Sequence, residues 1–248
     1  MTGDGPMVVG AGRPSTDLPL LLADLHRSLT VNETVVVELA PRPDHDWSVE
    51  RAADLLVGAG FVPSGPPSVN ESRMAVRAKR IRSLPDTVGP DMRLLVVGLN
   101  PSPTSADTGI GYARRGNRFW PAALETGLAS VDRDPRHALS CHGLGMTDLV
   151  RRTTVRADEV DCDEYRDGTS RVERLVGWLR PRAVCFVGLG GWRTAIDRRA
   201  VAGVQPGGFG GRPAYVMPHT SGLNAHSQLS DLVRHLRAAG QLADGTPD

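Results

Sequence analysis

Two polar loops, each following an apolar run, hold the residue types best suited to chemistry. The first lies in "GLNPSPTSADTGIGYARRGNRFW", where the apolar residues 94–97 lead into Asn100, and the second lies in "MPHTSGLNAHS", more than a hundred residues later. Ligands of open α/β sheets bind outside the carboxyl ends of the strands, where both loops begin. We therefore expect the two loops to face one crevice.

The first loop allows two interpretations on its own. Its Gly, Ser and Thr residues would permit a phosphate cradle, but the pattern GxxxxGK[ST] is absent and Lys79, the chain's only lysine, lies elsewhere. An ordinary turn-rich connection fits the same residues. The chemistry must therefore be inferred from the two loops together.

Composition excludes several classes of protein. The 248 residues carry a net charge of +1, so binding to nucleic acid would need a local basic patch. The three cysteines form no CxxC pair and predict neither a disulfide framework nor a zinc site. No apolar run is long enough to span a bilayer, and the start lacks the features of a signal peptide. We expect a cytoplasmic protein that binds no membrane.

Alternating strand and helix patterns predict an α/β fold in two parts. Residues 17–82 are expected to form a small α/β segment, and residues 83–92, with two prolines and a glycine, a linker. Residues 91–240 are expected to form a larger domain whose mostly parallel sheet has helices on both faces. Residues 1–16 and 241–248 are expected to be disordered. Because both loops lie in the larger domain, we expect residues 91–248 to fold and act alone.

The pair of loops resembles the two motifs of the mismatch-specific uracil-DNA glycosylases, the bacterial relatives of thymine-DNA glycosylase. In that family the first motif has the form G-[IL]-N-P-G and ends in G-N-R-F-W, and the second has the form N-P-S-G-L. The resemblance extends from Leu84 to the closing helix. It implies a three-layer αβα domain that removes uracil, thymine or alkylated cytosine opposite guanine in base excision repair, with no metal and no cofactor.

The resemblance assigns roles to five residues of the crevice. Asn100 is implied to be the catalytic residue, whose amide oxygen orients a water, and Tyr112 is implied to stack on the extruded base. Backbone amides near Leu99 and Tyr112 would read the uracil edge. Ser105 is a candidate for binding the base or a phosphate, and a solvated loop residue fits it equally. His219 either stabilises the leaving base or is an exposed loop histidine.

The second motif implies a wedge that fills the gap left by the flipped nucleotide. By resemblance Leu223 would insert into the duplex. Its neighbours in the loop and two arginines of the first loop would contact the DNA: Ser221, Gly222, Asn224, Arg114 and Arg115.

Four positions depart from the family's pattern. Ser102 replaces a glycine, His219 and Thr220 replace Asn-Pro, and Ala225 replaces an arginine that often follows the wedge. The first change predicts an altered approach of the backbone to the base, and the last predicts weaker anchoring of the duplex. Asp148, in "MTDLVRR", lies beside the expected crevice and either orients water or caps a turn.

Residues 1–90 carry a weaker resemblance, to the C-terminal part of a class I methyltransferase. The stretch "VVGAGRP" holds two glycines only, so no cofactor is expected there.

The larger domain contains no lysine that could act as a nucleophile, because Lys79 lies outside it. The leading hypothesis is therefore a monofunctional, monomeric glycosylase that acts on double-stranded DNA with G·U or G·T mismatches. The alternative is a non-catalytic nucleic-acid or nucleotide-binding module in which the N-terminal segment is the working part.

Overall fold

A computed structural model describes residues 5–43, 45, 47–70, 73–156, 159–222 and 227–246 of the chain. Its first four strands form an N-terminal sheet in the order β1, β2, β4, β3. The strands are β1 (Met7–Val9), β2 (Thr34–Leu39), β3 (Phe61–Asn70) and β4 (Arg73–Arg80), and two helices accompany them, α1 (Leu18–Ser28) and α2 (Val49–Gly58). β1 runs parallel to β2, and the other two pairs are antiparallel.

The N-terminal sheet is amphipathic because its side chains alternate between two faces. In β2 and β4 the inward residues Val37, Leu39, Met74 and Val76 are buried in one cluster with residues of α1 and α2. The opposite face carries exposed residues, including Arg77. This alternation is typical of a sheet with helices on one side only. We call residues 5–80 the N-terminal domain.

A second sheet of five strands forms the larger domain. Its order is β6, β5, β7, β9, β8, and all neighbours are parallel except the antiparallel pair of β8 and β9. The strands are β5 (Leu94–Gly98), β6 (Leu144–Asp148), β7 (Ala183–Val187), β8 (Gly203–Phe209) and β9 (Arg212–Met217). Every residue of β5, β6 and β7 is buried, as expected for central strands covered on both faces.

Helices cover both faces of the second sheet, so the predicted three-layer αβα architecture is confirmed. Leu94 and Val96 of β5 point to one face, where they share a core cluster with α4 (Phe119–Glu125) and α8 (Leu229–Asp244). Leu95 and Val97 point to the other face, towards α6 (Cys162–Leu179) and α7 (Leu189–Ala195). Two short helices complete the domain, α3 (Pro103–Thr108) and α5 (Pro135–His142).

Within residues 5–16 and 241–246, the described parts of the two ends, the chain is more ordered than the sequence suggested. Residues 1–16 were expected to be disordered, but β1 pairs with β2 and a 3₁₀ turn follows at Ser15–Asp17. Residues 241–248 were expected to form a disordered tail, but α8 continues to Asp244. Its carboxylate accepts two hydrogen bonds from Arg93, at 2.7 and 2.8 Å. No described helix is both long and apolar enough to cross a membrane.

The predicted linker, residues 83–92, is an integral part of the larger domain. Thr87 forms an isolated antiparallel bridge with Met146 of β6, through hydrogen bonds of 2.9 and 2.8 Å. Asp86 and Val88 are buried on either side of it. The prolines and the glycine of this stretch therefore shape a packed segment, and residue 91 is not a domain boundary.

We expect a fragment of residues 91–248 to be less stable than a fragment of residues 83–248. The shorter fragment loses the bridge to Met146 and the buried carboxylate of Asp86, which forms ion pairs with Arg151 and Arg171. Leaving a buried charge unpaired costs about 3–5 kcal/mol, a large part of a typical domain's stability. Thermal unfolding of both fragments, followed by circular dichroism, tests this. Equal melting temperatures would contradict it.

Candidate active site

A cleft of about 690 Å³ opens at the carboxyl ends of the central parallel strands. The loops after β5, β6, β7 and β9 all contribute to it, so the two loops singled out from the sequence do meet. Seven residues predicted for the site line this cleft: Leu99, Asn100, Ser105, Tyr112, Arg114, His219 and Ser221.

Asn100 is held in one orientation by its amide nitrogen. Nδ2 donates a 2.7 Å hydrogen bond to Oγ1 of Thr154 and a 3.3 Å hydrogen bond to the carbonyl oxygen of Arg152. The Thr154 hydroxyl donates in turn to the carbonyl of Arg156, at 2.6 Å, so it can only accept from Asn100. Among the described residues nothing donates to Asn100 Oδ1, so this oxygen keeps its capacity to accept a hydrogen bond.

Asp148 ends β6 and places a buried carboxylate in the cleft, with 8% of the residue exposed. Burial raises the pKa of Asp148 to about 6, and the charge of Asp86 adds to this, while Arg151 and Arg171 oppose it. No described residue donates a hydrogen bond to the carboxylate. A carboxylate with a pKa near neutrality and free acceptor oxygens is suited to accept a proton.

Gly98, beside Asp148, shows how tightly this part of the cleft is built. A Cβ at position 98 would lie 2.1 Å from Asp148 Oδ1 and 3.1 Å from Tyr112 Oη. Only glycine leaves room for both side chains at this point of β5.

Tyr112 is fixed by aromatic packing and by an unusual backbone. Its φ of 59° lies in the left-handed region, and its ring stacks on Phe119 with 4.2 Å between centroids and 19° between planes. The hydroxyl is buried with no partner among the described residues. Burial and then the charge of Asp148 raise the pKa of Tyr112 well above its usual value. The ring is thus a rigid, neutral wall of the cleft.

The other predicted base-binding residues take different positions. The carbonyl of Leu99 accepts a 2.9 Å hydrogen bond from the amide of Val150, which ties the end of β5 to the loop after β6. Ser105 lies in α3, buried, and its hydroxyl accepts from Ser102 at 3.1 Å. His219 lies at the rim of the cleft, where partial desolvation and then Arg118 lower its pKa. His219 is therefore mainly neutral at pH 7.

The second loop is attached directly to the first. Arg118 donates hydrogen bonds to the carbonyls of Ser221, at 2.9 Å, and Ser227, and its own amide donates to the carbonyl of Thr220 at 2.9 Å. A Cβ on Gly222 would lie 2.7 Å from the carbonyl of Gly116. Leu223 and Asn224, predicted as the wedge and its neighbour, lie outside the described residues.

Arg114 and Arg115 both lie exposed in the loop before α4, and Arg114 lines the cleft. Within the described part of the chain neither forms a salt bridge. They are free to meet an incoming anion, as their predicted contact with phosphates requires.

A buried charge network, which sequence reasoning missed, underlies the cleft. Asp86 accepts from Nη1 of Arg151 and Nη1 of Arg171, each at 2.8 Å, and from the hydroxyl of Thr147 at 2.6 Å. Arg171 Nη2 donates to the Asp148 carbonyl at 2.8 Å. The polar run "MTDLVRRTT" was the available signal, but nothing in it points to Asp86, which lies 61 residues before Thr147 and 65 residues before Arg151.

A metal centre was not expected from the sequence. Among the residues that the structure describes, no group of three His, Cys, Asp or Glu side chains could hold a metal ion.

Sequence comparison places this cleft in a family. A model of the uracil DNA glycosylase superfamily matches residues 85–239, well over half of the chain. The chain belongs to the uracil DNA glycosylase superfamily. It is accordingly an enzyme, a hydrolase acting on N-glycosyl bonds. The match leaves out the N-terminal domain, whose likeness to a methyltransferase stays a prediction.

Two solved structures are similar to parts of this chain. One is the solution NMR structure of a candidate uracil DNA glycosylase from Methanosarcina acetivorans, 19% identical, with 63% of this chain and 96% of that chain covered and a TM-score of 0.44. The other is the P23pro-zbd of an alphavirus, 13% identical, with 93% of this chain and 39% of that chain covered and a TM-score of 0.22. Both likenesses are too distant to bear on function.

We expect Asp148→Asn to stabilise this glycosylase-family protein at neutral pH. Because the pKa of Asp148 is higher in the folded than in the unfolded chain, its ionisation favours unfolding as the pH rises towards and past the folded value. The variant's advantage in unfolding free energy should therefore grow between about pH 4 and pH 7, by up to about 3 kcal/mol. Urea unfolding at several pH values, with Asp167→Asn on the exposed surface as control, measures it. An advantage independent of pH would contradict the raised pKa.

Proposed function

We propose that the protein is a monofunctional DNA glycosylase that hydrolyses the N-glycosidic bond of uracil mispaired with guanine. The observation that carries the proposal is Asn100, which lines the cleft of a member of the uracil DNA glycosylase superfamily. The loop after β6 binds its amide nitrogen, and no described residue donates to its amide oxygen. Thymine and alkylated cytosine opposite guanine belong to the proposed substrates. The proposal includes a monomer acting on double-stranded DNA in a bacterial cytoplasm, as a step of base excision repair.

Binding comes first in the proposed reaction. The target base lies inside the duplex and must be turned out before it can enter the cleft. Arg114, which lines the cleft, and Arg115, exposed beside it in the same loop, would hold the phosphates on either side. Leu223 would fill the gap in the stack. Tyr112, rigidly stacked on Phe119, would offer a flat apolar wall to the base.

Bond cleavage then needs a placed water and a stabilised leaving group. Asn100 Oδ1 would accept a hydrogen bond from the water and hold it beneath the sugar carbon. The water oxygen bonds to that carbon as the bond to the base nitrogen breaks, and the electron pair leaves with the base. Asp148 would take the proton that the water loses, because its carboxylate is buried, unpaired within the described residues and close to neutral in pKa.

The leaving base carries the negative charge that the broken bond releases. A neutral His219 can donate a hydrogen bond to this anion without a permanent positive charge of its own, and the lowered pKa favours that form. Backbone amides near Leu99 and Tyr112 would complete the donors. The base finally takes up a proton from solvent and departs.

A duplex with a single G·U pair tests the proposed activity. Purified full-length protein is incubated with the labelled duplex, and abasic sites are then cut with alkali. We expect strand cleavage at the uracil position, faster for G·U than for A·U. An uncut strand at stoichiometric protein would favour a non-catalytic binding module. Equal excision rates on G·U and A·U would contradict the preference for mispaired uracil but not the glycosylase activity.

Asn100→Ala should slow excision without weakening binding. The side chain orients the water and adds little to the affinity for the duplex, so the single-turnover rate should fall by about 100-fold or more while the dissociation constant for G·U duplex stays nearly unchanged. The matched control is Asn70→Ala, an exposed asparagine at the end of β3. A parallel loss of binding and rate would point to a structural role for Asn100.

A further inference from the structure

A short segment, residues 81–88, lies between the N-terminal domain and the active-site cleft. Its backbone bonds to the turn that links α2 with β3, where the Ile81 amide donates to the carbonyl of Gly60 at 3.0 Å and the Asp86 amide to the carbonyl of Gly58 at 2.9 Å. The ring of His26, from α1, bonds the Ile81 carbonyl at 3.0 Å. We call residues 81–88 the docking segment.

The other side of the docking segment bonds the loop after β6, residues 150–156, which we call the catalytic loop. The buried hydroxyl of Ser83 donates to the carbonyl of Arg151 at 2.7 Å. The hydroxyl of Thr153 donates to the carbonyl of Arg82 at 2.6 Å. The ion pair of Asp86 and Arg151 adds a third, charged tie. Two residues of this loop, Arg151 and Thr153, are thus bonded to the docking segment.

The catalytic loop in turn holds the residues that we assign to catalysis. The hydroxyl of Thr154 and the carbonyl of Arg152 bind the amide of Asn100, and the Thr154 amide donates to the carbonyl of Pro101 at 3.3 Å. Asp148 stands two residues before the loop. A shift of the loop would therefore turn the amide of Asn100 and move its oxygen.

We propose that the N-terminal domain is a positioning element of the active site, which acts through the docking segment to hold the catalytic loop and the amide of Asn100 in place. This inference rests on the proposed function for the role of Asn100. It gives the N-terminal domain a part in catalysis without any contact with substrate.

The fit between the N-terminal domain and the docking segment is too close to be incidental. A Cβ at Gly58 would lie 2.4 Å from Oδ2 of Asp86 and 3.0 Å from Nη1 of Arg171. At Gly60, where φ is +82°, a Cβ would lie 2.9 Å from both the His26 ring and the Cβ of Ser83. The turn at 58–60 therefore presses on the residues that bond the catalytic loop.

Other contacts hold the two domains together away from this turn. Arg174 of α6 pairs with Asp54 of α2 through hydrogen bonds of 2.7 and 2.8 Å, and the Arg51 guanidinium lies over the ring of Trp178, 4.6 Å from its centroid. These contacts attach the domain without touching the catalytic loop. They allow its attachment to be tested separately from its positioning role.

Gly58→Ala tests the proposal from within the N-terminal domain. Alanine suits the last turn of α2 better than glycine, but its methyl group would displace the Asp86 carboxylate. We expect the single-turnover excision rate on G·U duplex to fall by about 10- to 100-fold with little change in duplex affinity, because misplacing a reacting group by about 1 Å can have such an effect. The control is Gly177→Ala in α6, where a Cβ meets nothing within 4 Å.

Hydrogen exchange provides a readout that does not depend on activity. We expect faster amide exchange in residues 150–156 of Gly58→Ala, and of Ser83→Ala, which removes only the hydroxyl bonded to Arg151. Asp54→Asn should weaken the pairing of α2 with Arg174 of α6 without faster amide exchange in residues 150–156. The proposal would be overturned if Gly58→Ala and Ser83→Ala left both the amide exchange of residues 150–156 and the excision rate unchanged. It would also be overturned if Asp54→Asn changed the exchange and the rate as much as they do. Should the wild type fail to release uracil, the proposed function fails, and the exchange comparison still decides whether the domain positions the loop.

Discussion

The site depends on one buried carboxylate, Asp86, which stands between two buried arginines. Taking these charges out of water is costly, and only close pairing and additional hydrogen bonds offset it. Arg151 comes from the catalytic loop and Arg171 from α6, so their common partner fixes the distance between loop, helix and docking segment. The hydroxyl of Thr147 adds the end of β6 to the same arrangement. Four parts of the chain are thus held by one acceptor.

The same charges influence the chemistry of the cleft. Asp148 lies next to this network, and burial is the main reason that its pKa rises to about 6. The two arginines would favour its ionised form, while Asp86 opposes them. Burial beside this network therefore leaves Asp148 only partly ionised near pH 6. The residues that stabilise the fold here also set the protonation of the proposed base.

The sequence predicts those elements whose pattern is local. The apolar runs of β5 and β7, the amphipathic helix α6 and the position of Asn100 after a strand can all be read from it. Strand β3 could not, because "FVPSGPPSVN" holds three prolines, which are tolerated since β3 lies at a sheet edge. Strand β6 was hidden by Gly145 and by its polar residues Thr147 and Asp148. The partners of Asp86 are set by tertiary packing alone, and no local pattern encodes them.

The two sequence motifs, though a hundred residues apart, act as one structural unit. Arg118 donates to the carbonyls of Ser221 and Ser227, on either side of the stretch that holds Leu223. A guanidinium can bind two carbonyls at fixed spacing because its donors lie in one plane. The ends of the second loop are thereby held to the first loop, which also carries Asn100 and Tyr112. The second loop also packs on the first through Gly222 and Gly116, and its own residues His219 and Ser221 line the cleft. We therefore expect binding of a duplex at the second loop to be coupled to the placement of the base in the cleft.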